Sequence, residues 1–369
     1  MDITLNHTPI RTSRNYRIND VTLKNVKIPT KFDLSHSKIS YTTSSSKDFI
    51  LDVEKSDEVE NEFASDEIDT NVESFMLNQL TYGNGEFCEN QINENSNFEK
   101  FIQINSIMPS EIFLDFDISK NDSLIESLFI NAEEKTKGTV FFLLKGEGYH
   151  NGIIKINLKK GANISFYFVN LLEGNNNFIA IESNLGDESK LDFTIIDLGA
   201  QNSISNYYTN LVGAKAQSNL NTIYIGKNDE VVDMNYIAHI NKPESKVNFE
   251  VQGALKDSAN KHFKGTIDFK AGCKKSIGEE NEFCTLLSDK AKAISLPNLL
   301  CTEEDVEGAH STAAGKPGSK ELFYLLSRGF TRKEAEKLLV KARFNNILES
   351  VKNENIKNMI INKIDLLLD

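Results

Sequence analysis

TVFFLLKGEGYHNGIIKINLKKGANISFYFVN, residues 139–170, decides the fold class of this 369-residue chain. TVFFLLK (139–145), IIKINLK (153–159) and NISFYFVN (163–170) carry apolar residues with a period of two, and turn residues such as Lys160-Gly161-Ala162-Asn163 separate them. FIAIES (178–183) and KLDFTIID (190–197) continue the pattern, as do LNTIYIG, VVDMNYIAHI, KVNFEVQG and HFKGTIDF. From about Glu111 to Leu296 such runs recur with no helical pattern between them, so the core is all β. A sandwich, a barrel and a stacked solenoid all satisfy that spacing.

The surroundings of this core differ in texture. Val21, Leu23, Val26 and Ile28 follow a basic and aromatic opening with Arg11, Arg14, Tyr16 and Arg17. From Ser44 to about Asn97 the chain is rich in Ser, Asn and Glu, and DVEKSDEVENEFASDEIDTN (52–71) has too high a charge density for a packed core, which predicts an exposed insertion. At the far end, His310, Ser311 and Thr312 read as a short polar loop that runs to Gly315, Pro317 and Gly318. Ser319 is placed to cap a helix carrying Leu322, Phe323, Leu325 and Leu326, with Gly329 at its stop. Thr331 and Glu334 form a capping box for a second helix, on which Ala335, Leu338, Leu339 and Ala342 recur at helical spacing, and Phe344, Ile347, Leu348 and Val351 extend the pattern. The reading divides the chain into an N-terminal region (1–110), a β core (111–304) and a C-terminal helical domain (305–369).

Composition excludes several function classes. Apolar residues make up 39% and charged residues 26%, with a formal net charge of −13, which opposes unaided binding to nucleic acid or anionic membrane. No run approaches the roughly 20 apolar residues of a membrane span, and the first residues lack the apolar core of a signal peptide, so a cytoplasmic location is expected. Cys88, Cys273, Cys284 and Cys301 are too scattered for a disulfide framework and read as reduced thiols. GEGYHNG (146–152) precedes no helix and GKPGSKE (315–321) lacks phosphate-loop spacing, so no nucleotide is expected on this chain. No nucleophile elbow or HExxH occurs.

The histidine segment, LFYLLSRGF (322–330) and the amphipathic helix ending at Phe344 together resemble the C-terminal signature of the SufB/SufD family, scaffold subunits of the SUF iron–sulfur cluster assembly machine. The likeness extends back through CTLLSDKAKAISLPNLLC (284–301) and VQGALKDSANKHFKGTIDF (251–269). It implies a mainly β fold: a right-handed parallel β-helix core with helical ends. In such a core Ile154, Ile156 and Leu158 stack inward while Lys155, Asn157 and Lys159 face water.

The resemblance also implies roles. The C-terminal helices dock a SufC-type ABC ATPase, with Leu322, Phe323, Tyr324, Arg328, Gly329 and Phe330 as the contact residues. Of these, Arg328 and Tyr324 are expected to meet the ATPase while Leu322 and Phe323 hold the helix pair together. The β-helix pairs with a second SufB/SufD scaffold chain, and nucleotide-driven movement of the ATPase opens that interface. A transient iron–sulfur cluster is the cargo, held between the two scaffolds by a SufB cysteine and a SufD histidine, donors suited to iron–sulfur chemistry. Cys284 matches the cysteine position and His310 the histidine position. The chain departs from both patterns after His310, where Ser311-Thr312 stands in place of Gly-Ala or Glu-Ala.

Each residue also has a plainer reading. Cys284 fits a buried small hydrophobe, His310 a satisfied turn residue, Cys301 a core thiol and His239 a structural histidine. Cys273 precedes two lysines that would favour its thiolate if it were exposed. Length and the LFYLLSRG segment lean to a SufD-like partner of a separate SufB; the joint presence of Cys284 and His310 leans to a homodimeric scaffold pairing only with the ATPase. A β-helical carbohydrate-active enzyme is the alternative from another class.

Overall fold

A computed structural model describes residues 1–10, 18–53, 75 and 78–369; the opening residues Arg11, Arg14, Tyr16 and Arg17 and most of the acidic stretch 52–71 lie outside them. From Phe98 onward successive strands alternate between two sheets, and within each sheet neighbouring strands run parallel from the strand Ser110–Ile118 to Val306–Gly315 in the first and from Phe98–Ile104 to Lys292–Cys301 in the second. The chain therefore winds as a parallel β-helix, as the resemblance implies. Partners on adjacent turns are 26 residues apart at Asn177 and Ser203 and 31 at Ser245 and Ser276. Antiparallel strands Lys38–Thr43 and Phe49–Asp52 close the N-terminal end.

One corner of six successive turns is made in the same way. Lys135, Gly161, Glu188, Lys215, Glu244 and Lys275 all adopt φ between 57° and 67°, and each donates its backbone N–H to a carbonyl of the next turn. Only one of the six is glycine, so the inter-turn hydrogen bond holds a left-handed conformation that other residues ordinarily avoid. Inside, equivalent side chains stack: the Phe166 and Phe193 rings lie 4.7 Å apart and Phe142 and Phe168 5.1 Å apart. Ile154, Ile156 and Leu158 face inward, as alternation requires. Lys155 does not face water: it is buried, and its ammonium donates to the carbonyls of Phe75 and Asn78, which cross the outer face of the second sheet.

Four helices are described in full: α1 (Glu86–Asn95), α2 (Ser319–Ser327), α3 (Arg332–Ser350) and α4 (Glu354–Leu368). α1 and the strands Ile3–Leu5 and Val21–Leu23 cover the second sheet through Cys88, Ile92, Ile3 and Val21, packed on Tyr149 and Phe178. α3 and α4 cover the outer face of the first sheet, where Phe344, Ile347, Ile360 and Ile364 pack on Phe141, Val169, Ile196 and Ile223. The first-sheet strands beneath these helices, Lys137–Gly146 among them, are thus buried on both faces over much of their length, which is why TVFFLLK reads as nearly continuous apolar sequence.

Two local expectations need correction. His310 lies on a regular strand, not in a loop: Val306–Gly315 pairs along its length with Ser276–Leu286, so the β-helix runs past residue 304. Ser319 is the first residue of α2, and Gly318 holds the N-cap position without a side-chain bond. The Thr331–Glu334 capping box forms as read.

Candidate functional site

The last turn consists of strands Lys292–Cys301 and Val306–Gly315, and neither is followed by a further strand in its sheet. Register gives its inward residues. Ser295, Pro297, Leu299 and Cys301 lie over Phe263, Gly265, Ile267 and Phe269 in the second sheet, and Gly308, His310, Thr312 and Ala314 lie over Gly278, Glu280, Glu282 and Cys284 in the first. The side chains beneath are buried, whereas all eight residues of the last turn are half-buried or exposed. α3 and α4 pack on the flank, so among the described residues nothing covers this end.

Cys284 is fully buried one layer below the opening. Gly253, its register neighbour on the preceding turn, leaves room for the Tyr224 ring; a Cβ there would sit 1.9 Å from Tyr224 Cζ. Tyr224 Oη donates to Glu282 Oε1 at 3.2 Å, and the Lys261 ammonium contacts the same oxygen at 2.8 Å with both side chains wholly buried. Ser295 closes the network by donating to Glu282 Oε2 at 2.8 Å while accepting from Lys261 Nζ at 3.0 Å. Burial pushes the Cys284 thiol up to about 11, against the nearby Lys261 ammonium. It is therefore a protonated thiol at neutral pH, and binding a metal there must release a proton.

Glu280 went unnoticed in the sequence. It is buried, both carboxylate oxygens lack a hydrogen-bond donor among the described residues, and a Cβ on Gly265 opposite would stand 2.1 Å from Oε2. Loss of hydration, reinforced by the charge of Glu282, pushes its carboxyl up to about 8. Parity within SIGEENEFCTL held the clue, because Gly278, Glu280, Glu282 and Cys284 share one face of the strand and apolar Cys284 marks that face as the inner one.

The fold brings Cys284 and His310 to adjacent strands and the same face, but not to one point. His310 is in register with Glu280, four positions along from Cys284, which corresponds to about 13 Å at the rise of a strand. Among the described residues no group of three His, Cys, Asp or Glu side chains is arranged to hold a metal ion. Cys284 and His310 therefore do not jointly ligate one compact cluster within a single chain as it stands.

The remaining thiols separate clearly. Cys301 is exposed, donates to the Glu303 carbonyl at 2.9 Å and belongs to the second sheet, so its strand does not adjoin that of Cys284. Cys273 is buried and its thiol is pushed up to about 11 by loss of hydration, which opposes the thiolate expected from its lysine neighbours. Cys88 is buried on α1. His239 is held by Tyr208 Oη at 3.1 Å and Asp268 at 3.9 Å on the outer face of the second sheet, a structural setting.

α2 buries no residue. Phe323 is 72% exposed, Tyr324 55% and Phe330 42%, with Arg328 over the Tyr324 ring at 5.2 Å. Phe323 thus faces outward instead of holding the helix pair, and Leu322, half-buried, is on the inner side. Gly329, at φ 93°, turns the chain between α2 and α3, a conformation that suits glycine. The outcome is an apolar hairpin beside the open end of the β-helix.

Comparison with known proteins agrees with this architecture. A family model described as the SufBD core domain of the SUF system for FeS cluster assembly matches residues 116–343. The chain is 27% identical over 181 residues to an iron–sulfur cluster assembly protein SufD of Bacillus subtilis, covering 49% of this chain and 41% of that protein. It is 28% identical over 172 residues to a SufBD family protein of Pyrococcus horikoshii (46% and 37% covered), and 23% identical over 159 residues to SufD of Escherichia coli (43% and 38% covered). The matches span less than half the length of these relatives. No helix among the described residues is long and apolar enough to cross a membrane. With the family model spanning more than half of its length, the chain belongs to the SufBD family of the SUF iron–sulfur cluster assembly system.

Proposed function

We propose that this chain is a cytoplasmic, non-catalytic scaffold that binds a SufC-type ABC ATPase through α2 and α3 and contributes donors to a transient iron–sulfur cluster at an interface with a second SufB/SufD chain. The observation that carries the reading is the placement of Cys284 and His310 on adjacent strands at the end of the β-helix that no described residue covers. A separation of about 13 Å makes each a donor to a shared site completed by another chain, not a closed pair. Among the described residues two strand edges at this end pair with no further strand and offer backbone groups to such a chain. The exposed Phe323, Tyr324 and Phe330 supply the apolar surface for the ATPase, with Arg328 at its rim. Family membership displaces the carbohydrate-active alternative.

A homodimeric scaffold is the second reading, and it is favoured by one chain carrying both donors. Co-expression with the ATPase followed by native mass measurement tests both. A complex containing the ATPase supports docking, its absence rejects docking, and a 2:2 assembly lacking any other scaffold selects the homodimer.

A further inference from the structure

We propose that Glu280 and His310 form a binding site for a single ferrous ion just inside the open end of the β-helix, separate from the thiol of Cys284. The inference deepens the reading of this end as a cluster assembly site and rests on it for the identity of the metal. Three observations support it.

Glu280 and His310 are direct register partners on adjacent parallel strands, on the same inward face. Neighbouring strands lie about 4.8 Å apart, so the carboxylate and the imidazole can reach one ion with ordinary bonds of about 2.0–2.2 Å. Glu280 is also the unsatisfied member of its row. Glu282, two residues on, is held by Lys261, Tyr224 and Ser295, whereas neither oxygen of Glu280 receives a hydrogen bond from a described residue. A buried carboxyl group without a hydrogen-bond partner is costly, and a cation that displaces its proton supplies the missing partner. Finally, Gly265 keeps the space opposite Glu280 clear, since a Cβ there would collide with Oε2. Pro297 and His310 are the register residues directly over Gly265 and Glu280, and His310 is exposed.

An imidazole with a carboxylate suits ferrous iron better than the soft ions preferred by thiolates. No third protein donor completes the set among the described residues, so water or a second chain fills the other positions. Cys284, four register positions away, is too distant to bind the same ion. The pair would accept iron at the opening before sulfur chemistry takes place at the thiol.

The test is anaerobic titration of the 369-residue chain with ferrous ammonium sulfate, followed by calorimetry, with cobaltous chloride as a spectroscopic probe of imidazole and carboxylate ligation. One ferrous ion per chain is expected. Glu280→Gln and His310→Ala should each weaken binding at least about tenfold and change the cobalt ligand-field bands, whereas Cys284→Ala should bind within about twofold of the wild type. His310 is exposed, so its replacement leaves the core intact even if Glu280→Gln folds poorly. Unchanged ferrous affinity in His310→Ala or in folded Glu280→Gln, or no binding by the wild type, overturns the proposal. The scaffold reading fails separately: ferrous binding would persist while the chain with its ATPase and partner scaffold assembled no cluster.

Discussion

Gly253 has no side chain because the Tyr224 ring occupies the space where one would be. Gly253→Ala should therefore cost about 1–3 kcal/mol by overpacking, read as a lower urea midpoint with unchanged slope. Asp197 illustrates a second residue-scale consequence. It is buried, accepts from Asn170 Nδ2 at 2.8 Å, and burial raises its carboxyl from 3.8 to about 6. Because the folded value exceeds the unfolded one, the native state holds more protons between pH 3.8 and about 6, and this group's contribution to stability falls as pH rises through that window. Asp197→Asn should remove that slope, worth on the order of 2–3 kcal/mol, in denaturation curves taken at pH 4 and pH 7. Neither role could be read from the sequence, since burial and the ring opposite a glycine are properties of neighbouring turns. Cys284 and His310 stand out in the sequence only through family likeness; Glu280 does not, because a charged residue in an alternating strand ordinarily faces solvent.

Element by element, the capping box of α3 and its apolar stripe were plain, because Thr331, Glu334, Phe344 and Ile347 act within one helix. Thr331→Ala should lower thermal stability by about 1 kcal/mol through loss of the cap. α2 behaves in the opposite way, since it buries nothing. Phe323→Ser with Tyr324→Ser should leave the melting temperature of the isolated chain nearly unchanged while weakening ATPase capture in a pull-down, and a large loss of stability instead would show that the hairpin is structural. The strand Val306–Gly315 escaped the sequence reading for a physical reason. Its inner face meets no further turn, so Gly308, His310, Thr312 and Ala314 carry none of the alternating large apolar residues that mark the strands below.

For the whole molecule, alternation established an all-β core but could not choose among architectures, because period two reports which faces are buried and not how strands are joined. The parallel ladders and the recurring left-handed corner decide in favour of a solenoid. Stacked turns contact only their neighbours, so stability should fall toward the uncovered end. Hydrogen exchange should be slowest in the strands from Asn163–Asn170 to Lys246–Leu255 and fastest in Lys292–Cys301 and Val306–Gly315, and binding of a second scaffold chain should slow the latter pair.

The central claim, that this open end holds iron–sulfur cargo, is tested most directly by anaerobic reconstitution with iron and sulfide of the chain bound to its ATPase and scaffold partner, followed by Mössbauer spectroscopy of the desalted complex. The account predicts a cluster signal in the wild type that is lost in the Cys284→Ala, His310→Ala double variant. An equal signal in both, or none in either, would contradict it.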